Sequence, residues 1–277
     1  AKPQYGKAAT LKIKKGASIV LKSLAPNADR LLRDTKDIYE LTINFPRFGH
    51  SKEILASEMN ELESLEGEAK AEAISRKIAD LMKEDVEDYM TTIEYMATGA
   101  LFGKVVDGEG TVLFEFNTTA SPIEHKAKEI IAVLDEIDEA LVDELGKEVP
   151  YEILASAKYI QKLAAKAKVD KLFTSGEAKW IDEEGKRVLV VHSKRHIPFR
   201  ASWTDTQDNK HQFIPDGQAV VIPLSSDVFE LIYGRADHTD AFKSAPKLMF
   251  ASQPEELPKG KGWGFETECK AIPYCVR

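Results

Sequence analysis

Four stretches of the sequence hold residue types that could do chemistry. In YMATGALFGKVVDGEG (95–110), Gly99 and Gly103 precede Lys104, the ingredients of a phosphate-cradling loop. Such a loop needs four residues between its glycines, then Lys and Ser/Thr, and it joins a strand to the helix that follows. Here three residues separate the glycines, Val105 follows the lysine, and the order is helix first and strand second. A helix C-terminal glycine handing over to a strand explains the same letters. In VVHSKRHIPFR, His192 and His196 lie four apart, which on a strand puts both on one face, but a third metal ligand is found only at a distance. Ser193-Lys194-Arg195-His196 reads instead as a solvated turn between two strands. Asp237-His238-Thr239-Asp240 mixes acid and imidazole without a nucleophile elbow or oxyanion motif, so a structural loop is expected. The pairs Asp80/Glu84 and Glu84/Asp88 have the i,i+4 spacing of cation ligands, yet no Glu-x-x-His completes a carboxylate metal site. A solvated or partner-facing acidic side is expected there. These readings assign no catalytic, cofactor-binding or metal-binding residue, and no enzyme activity is expected.

The elements that would position these residues follow from periodicity. From about Glu68 to Phe102, Ala71, Ile74, Ile78, Leu81, Met82, Val86, Tyr89, Met90, Ile93 and Ala97 recur mostly at three and four, which predicts a long amphipathic helix. Its ~35 residues would span roughly 50 Å. The opposite face carries Asp80, Glu84, Asp85, Glu87 and Asp88 and is read as acidic and outward. Two β-prone runs around Asp107-Gly108-Glu109-Gly110 predict a hairpin. Ser121-Pro122-Ile123-Glu124 has the form of a capping box, opening a helix whose stripe is Ile123, Ala127, Ile130, Leu134, Ile137, Leu141 and Leu145, before Gly146. YEILA reads as a buried strand, Ser156 as a helix cap and AKYIQKLAAKA as a short helix, which gives the region α/β character. The remainder, from AKWID to WGFETECKAIPYCV, is mostly strands and turns.

Composition bounds the class. With 277 residues, 43% hydrophobic and 30% charged, the chain can bury one large core or two modest ones. Cys269 and Cys275 match neither a redox pair nor a zinc set and are read as free thiols. No apolar run approaches the ~20 residues of a membrane span and no secretory leader opens the sequence, so a soluble protein of intracellular origin is expected. The net charge of −8 argues against a dedicated nucleic-acid binder, but it is unevenly spread. Residues 1–52 carry 11 Lys/Arg against 4 Asp/Glu, a net of +7, while residues 53–94 carry 13 acids against 4 bases, a net of −9. The basic segment has short strand signals, Leu11 and Ile13, then Ile19 and Leu21, but too little apolar surface for a core of its own, so it is expected to form an extended hairpin or arm. Its partner is an acidic face within the chain, nucleic acid, or another copy of the chain. Assembly between copies ranks first, because a neighbour's acidic helix offers the arm a complementary surface.

The long helix running into ATGALFGKVVDGEGTVLFEFN, and then FIPDGQAVVIPL, YGRADHTDAF and KLMFASQPEELPKGKGWGFETECKAIPYCVR, form an ordered set. Over most of residues 8–277 this set resembles the phage major capsid protein E family, the lambda-type major capsid proteins. The resemblance implies an α+β chain with the HK97-like fold: an extended loop, a peripheral domain on a spine helix, and an α/β axial domain. Carried onto this sequence, 1–55 is the extended loop with an N-terminal remnant, and 56–119 the spine helix, at 67–102, with the peripheral hairpin. Residues 120–260 are then the axial domain, and 261–277 a closing strand that shares the peripheral sheet with the hairpin. The family pattern has an N-terminal arm before the loop, whereas this sequence starts almost at the loop, and it continues a short way beyond the position of Arg277. The implied function is a structural subunit that assembles into pentamers and hexamers and encloses double-stranded DNA without sequence-specific binding. Decoration, scaffolding and portal proteins are the further partners it implies, with no membrane and no cofactor, and the site of action is the virion capsid, reached from the host cytoplasm. An encapsulin-like nanocompartment shell is the alternative within the same fold.

Overall fold

A computed structural model describes residues 2–5, 8–14, 38–60, 68–116, 122–125, 128–183, 185–204, 207–224 and 229–275. Strands β1 (Lys2–Pro3), β2 (Ala8–Lys14), β3 (Ile38–Asn44) and β4 (Phe48–Leu55) lead through a short helix, α1 (Ala56–Asn60), to the 34-residue α2 (Glu68–Leu101). A hairpin of β5 (Lys104–Val106) and β6 (Val112–Glu115) precedes α3 (Ile130–Leu145), β7 (Tyr151–Ala155), α4 (Ala157–Val169) and the single turn α5 (Leu172–Ser175). Then come β8 (Ala178–Glu183), β9 (Lys186–Val191), β10 (Lys194–Pro198), β11 (Ser202–Thr204), β12 (Lys210–Gln212) and β13 (Ala219–Pro223). The chain closes with β14 (Phe229–Tyr233), β15 (Met249–Ala251), β16 (Glu255–Glu256), β17 (Gly262–Cys269) and β18 (Ala271–Cys275). Among the described residues no helix is long and apolar enough to cross a membrane.

Two hydrophobic cores organise these elements. The first lies under α2, whose Tyr89, Ile93, Met96 and Ala100 recur at four, three and four and are buried against Ile232, Cys269, Ala271 and Ile272. Each large side chain buried this way contributes roughly 1.5–3 kcal/mol. Here β17 is the central strand, paired along its length with β4 on one edge and with β15 and β16 in succession on the other. Strand β18 pairs with β14, and β14 in turn with β1 in parallel. The expected single closing strand is therefore two strands in two sheets. Between them stands buried Lys270, whose carbonyl accepts from Gly234 N and whose ammonium reaches Asp237 Oδ2 at 2.6 Å. Among the described residues the β5–β6 hairpin pairs only with itself and is not in a sheet with either closing strand. Strands β2 and β3 pair antiparallel from Ala8↔Asn44 to Lys14↔Ile38, a ribbon of about 20 Å at strand rise. Ala9 and Ile43 root this ribbon in the first core.

The second core packs α3 and α4 on a five-stranded sheet of order β13-β7-β10-β9-β8, in which only β7 and β10 run parallel. Ser156 caps α4 by accepting from Tyr159 N, as the sequence leads one to expect. The expected capping box does not open α3. Residues 122–125 are non-helical, the helix begins at Ile130 behind Glu129, and Ser121 and Ala127 lie outside the described residues. Tertiary packing overrides the local signal: Ile123 packs against the second core and the His125 ring lies 5.9 Å from that of Tyr159. The helix C-terminus falls as expected, at left-handed Gly146, whose N–H bonds Val142 O at 2.7 Å. Strands β14 and β15, inside the stretch 120–260, contribute Ile232, Leu231 and Met249 to the first core and not to the second.

Candidate assembly surface

The glycine stretch proves to be a joint. Phe102 N donates to Gly99 O at 2.9 Å and Gly103 N to Ala100 O at 3.2 Å, so the amides that would face a phosphate are spent closing α2. Gly103 has φ +90°, and its carbonyl accepts from Phe116 N at the far end of the hairpin. The intervening turn is held by Asp107, whose Oδ1 accepts from Glu109 N at 3.0 Å and Thr111 N at 2.8 Å.

The two histidines part company. His192 and Ser193 have φ of 45° and 65° and form the two-residue turn between β9 and β10, where Lys194 faces Val191. The turn thus sits earlier than Ser193–His196, and His196 belongs to β10, where it is buried. Burial pushes its pKa down to about 4, and Nδ1 lies 3.2 Å from Lys194 O. His196 is thus a core residue beside Tyr159, its ring centroid 6.4 Å from that of the tyrosine.

The acidic loop is bonded into the fold. Asp237 N donates to Glu268 Oε1 at 2.8 Å, and His238 Nδ1 accepts from Asp240 N to cap a 3-10 turn. Glu268 is 5% exposed and takes Arg47 Nε at 2.8 Å. The loop, the approach to β4 and the closing strands are therefore tied through buried Glu268 and Lys270, whose charges are met by the half-exposed Arg47 and Asp237.

The surface of α2 differs from its expected form in two respects. Asp85 is not on the outer face: it is 1% exposed and its Oδ2 accepts from Thr267 Oγ1 at 2.7 Å, while Thr267 Oγ1 lies 2.9 Å from Tyr89 Oη. Burial and the Asp85 charge raise the Tyr89 pKa. Asp85 stands four before Tyr89 in the buried stripe, so a period count that admitted polar residues would have placed it inside. Conversely, Val86 and Met90, counted with the core, are 41% and 51% exposed. They form an outward apolar strip with Ile93 at its edge and Glu87, Thr91 and Glu94 beside it. Asp80, Glu84 and Asp88 are exposed as expected. This face thus combines apolar area with carboxylates, a composition suited to a basic partner segment. The basic residues Lys12 and Lys14 lie on the β2 ribbon and Lys15 lies outside the described residues.

The family model of phage major capsid protein E matches residues 2–277. The fold is similar to that of a capsid protein from a prophage of Escherichia coli CFT073, with TM-score 0.53 and 14% identity over 88% of this chain and 78% of that one. It is also similar to the SrpI encapsulin of Synechococcus elongatus PCC 7942, with TM-score 0.50 and 8% identity over 100% of this chain and 80% of that one. No curated protein matches the sequence.

Proposed function

Because the chain belongs to the phage major capsid protein E family and is a structural subunit of a tailed-phage or prophage capsid with the HK97-like fold, we propose that all its work is done by contacts between copies. Those contacts build pentamers and hexamers, which close into an icosahedral shell around double-stranded DNA, after assembly in the host cytoplasm and with no chemistry performed by the subunit. Decoration, scaffolding and portal proteins are the further partners of this reading. The observation that carries it is the outward strip of α2, Val86 and Met90 among carboxylates, on the same chain as a ribbon that bears Lys12 and Lys14 and is rooted in the first core. The ribbon of one copy lies over the acidic helix of the next.

The proposed division of labour is an extended loop at 1–55, a spine and peripheral hairpin at 56–119, an axial unit from 120, and the closing stretch 261–277. Its support is the presence of two separate cores. Since β14 and β15 share the first core, the proposed axial unit stops near Leu224, and 229–260 join the peripheral unit. The test is electron microscopy and sedimentation of the expressed protein at low and high salt. Rings and closed particles are expected, and reversing charge at Lys12, Lys14 and Lys15 should weaken association most at low salt, where screening is least. Monomers alone at every concentration, or association indifferent to that reversal, would defeat the reading. Particles filled with protein and free of nucleic acid would instead favour the nanocompartment.

A further inference from the structure

Where β4 crosses α2, one ligand atom each of His50, Asp85 and Asp88 lies within 4.8 Å of the others. Asp85 and Asp88 are three apart on one helix face, and His50 comes from the strand. The surroundings of Asp85 are unusual for a carboxylate that is 1% exposed. Its Oδ2 is satisfied by Thr267, but Oδ1 accepts no hydrogen bond from the described residues. Lys52 Nζ stands 3.4 Å from Oδ1 as an ion pair outside hydrogen-bond alignment, and it divides its charge with Glu84 at 3.7 Å. A buried carboxylate oxygen without a donor is costly unless a cation completes it.

We propose that His50, Asp85 and Asp88 form a binding site for a divalent transition-metal ion such as Zn²⁺ or Mn²⁺, fastening β4 to α2. One imidazole nitrogen and two carboxylate oxygens suit such an ion, whereas calcium asks for six to eight oxygens. Donors ~2.0–2.2 Å from a shared ion are at most about 4.4 Å apart. At tetrahedral angles the spacing falls to about 3.3–3.6 Å, so the cluster needs to close by up to about 1.5 Å, and the exposed side chains of His50 and Asp88 are able to turn inward. Three protein ligands leave a position for water. Lys52 is the built-in competitor: it neutralises Asp85 when no metal is bound, and an arriving ion pushes its ammonium towards Glu84. The site belongs to a single chain and does not depend on the shell reading.

Calorimetric titration of the full chain with Zn²⁺ alone, and separately with Mn²⁺, Mg²⁺ and Ca²⁺, tests this. One saturable site is expected for Zn²⁺ or Mn²⁺, at least about tenfold tighter than for Mg²⁺ or Ca²⁺. His50→Ala and Asp88→Asn, both at exposed positions, should each weaken it about tenfold or more, since even an outer-shell change costs 10–100-fold. Lys52→Met should tighten it. Circular dichroism of each variant checks that the fold is intact. Absence of a saturable site, or unchanged affinity in His50→Ala and Asp88→Asn, would overturn the proposal, and weaker binding in Lys52→Met would overturn the competitor role.

Discussion

Gly99 shows how much a single position depends on what lies across from it. A Cβ built there would sit 2.6 Å from Lys104 O, a backbone atom fixed by the β5–β6 pairing, so neither partner can yield cheaply. Gly108, in the turn of the same hairpin, has nothing within 4 Å of its Cβ position. Gly99→Val should therefore cost about 2–4 kcal/mol, in the range of overpacking with backbone shift, while Gly108→Ala should stay within about 0.5 kcal/mol. Urea unfolding monitored by circular dichroism gives both numbers, and equal effects of the two changes would show that the helix-to-hairpin joint is not tightly packed. Neither change should alter nucleotide binding, because the amides of residues 102 and 103 are already bonded within the joint.

At the scale of elements, legibility followed how local the cause was. The extent of α2, the Asp107 turn, the Ser156 cap and the Gly146 stop were all readable, because each is decided by residues within one turn of itself. What could not be read came from contacts remote in sequence. The start of α3 was set by Ile123 and His125 docking on the second core, and the inward turn of Asp85 by Thr267, on a strand at the other end of the chain. The paired acids of α2 lack a Glu-x-x-His partner within the helix, whereas the imidazole near Asp85 and Asp88 is that of His50, which comes from β4. The exposed strip of α2 is of the same kind: periodicity gives the stripe, but which flank meets the core depends on where β17 and β18 lie. Met90 tests that strip. Met90→Lys sets a lysine four residues before Glu94, so the isolated subunit should keep its stability to within about 0.5 kcal/mol. Association should nevertheless fall at least severalfold, since apolar area is lost and the acidic field is partly cancelled. Thermal unfolding and sedimentation velocity on the same preparation separate the two effects. Assembly at the wild-type concentration would place the contact elsewhere.

For the whole molecule the question is how two cores with separate membership behave as one body. Across the junction, Tyr95 of α2 lies 4.3 Å, centroid to centroid, from Trp203 on the β11–β12 ribbon and 6.3 Å from Phe213. Trp203 stacks in turn on His211 at 4.7 Å, and Phe213 meets Phe199, whose amide bonds Ala155 O of β7. The aromatic rings thus form a continuous path from the spine helix to the second sheet. Offset aromatic pairs contribute about 0.5–1.5 kcal/mol beyond the area they bury. Trp203→Ala and Tyr95→Ala should each lower stability by about 1–3 kcal/mol, with a coupling of about 0.5–1.5 kcal/mol between them in a double-mutant cycle. In calorimetry each variant should also broaden the unfolding transition, because the cores then melt less in step. Trp203→Phe, which keeps a ring against Tyr95, should recover most of the cooperativity. A coupling near zero with an unchanged transition width would mean that the connecting chain, and not the aromatic path, holds the two cores together.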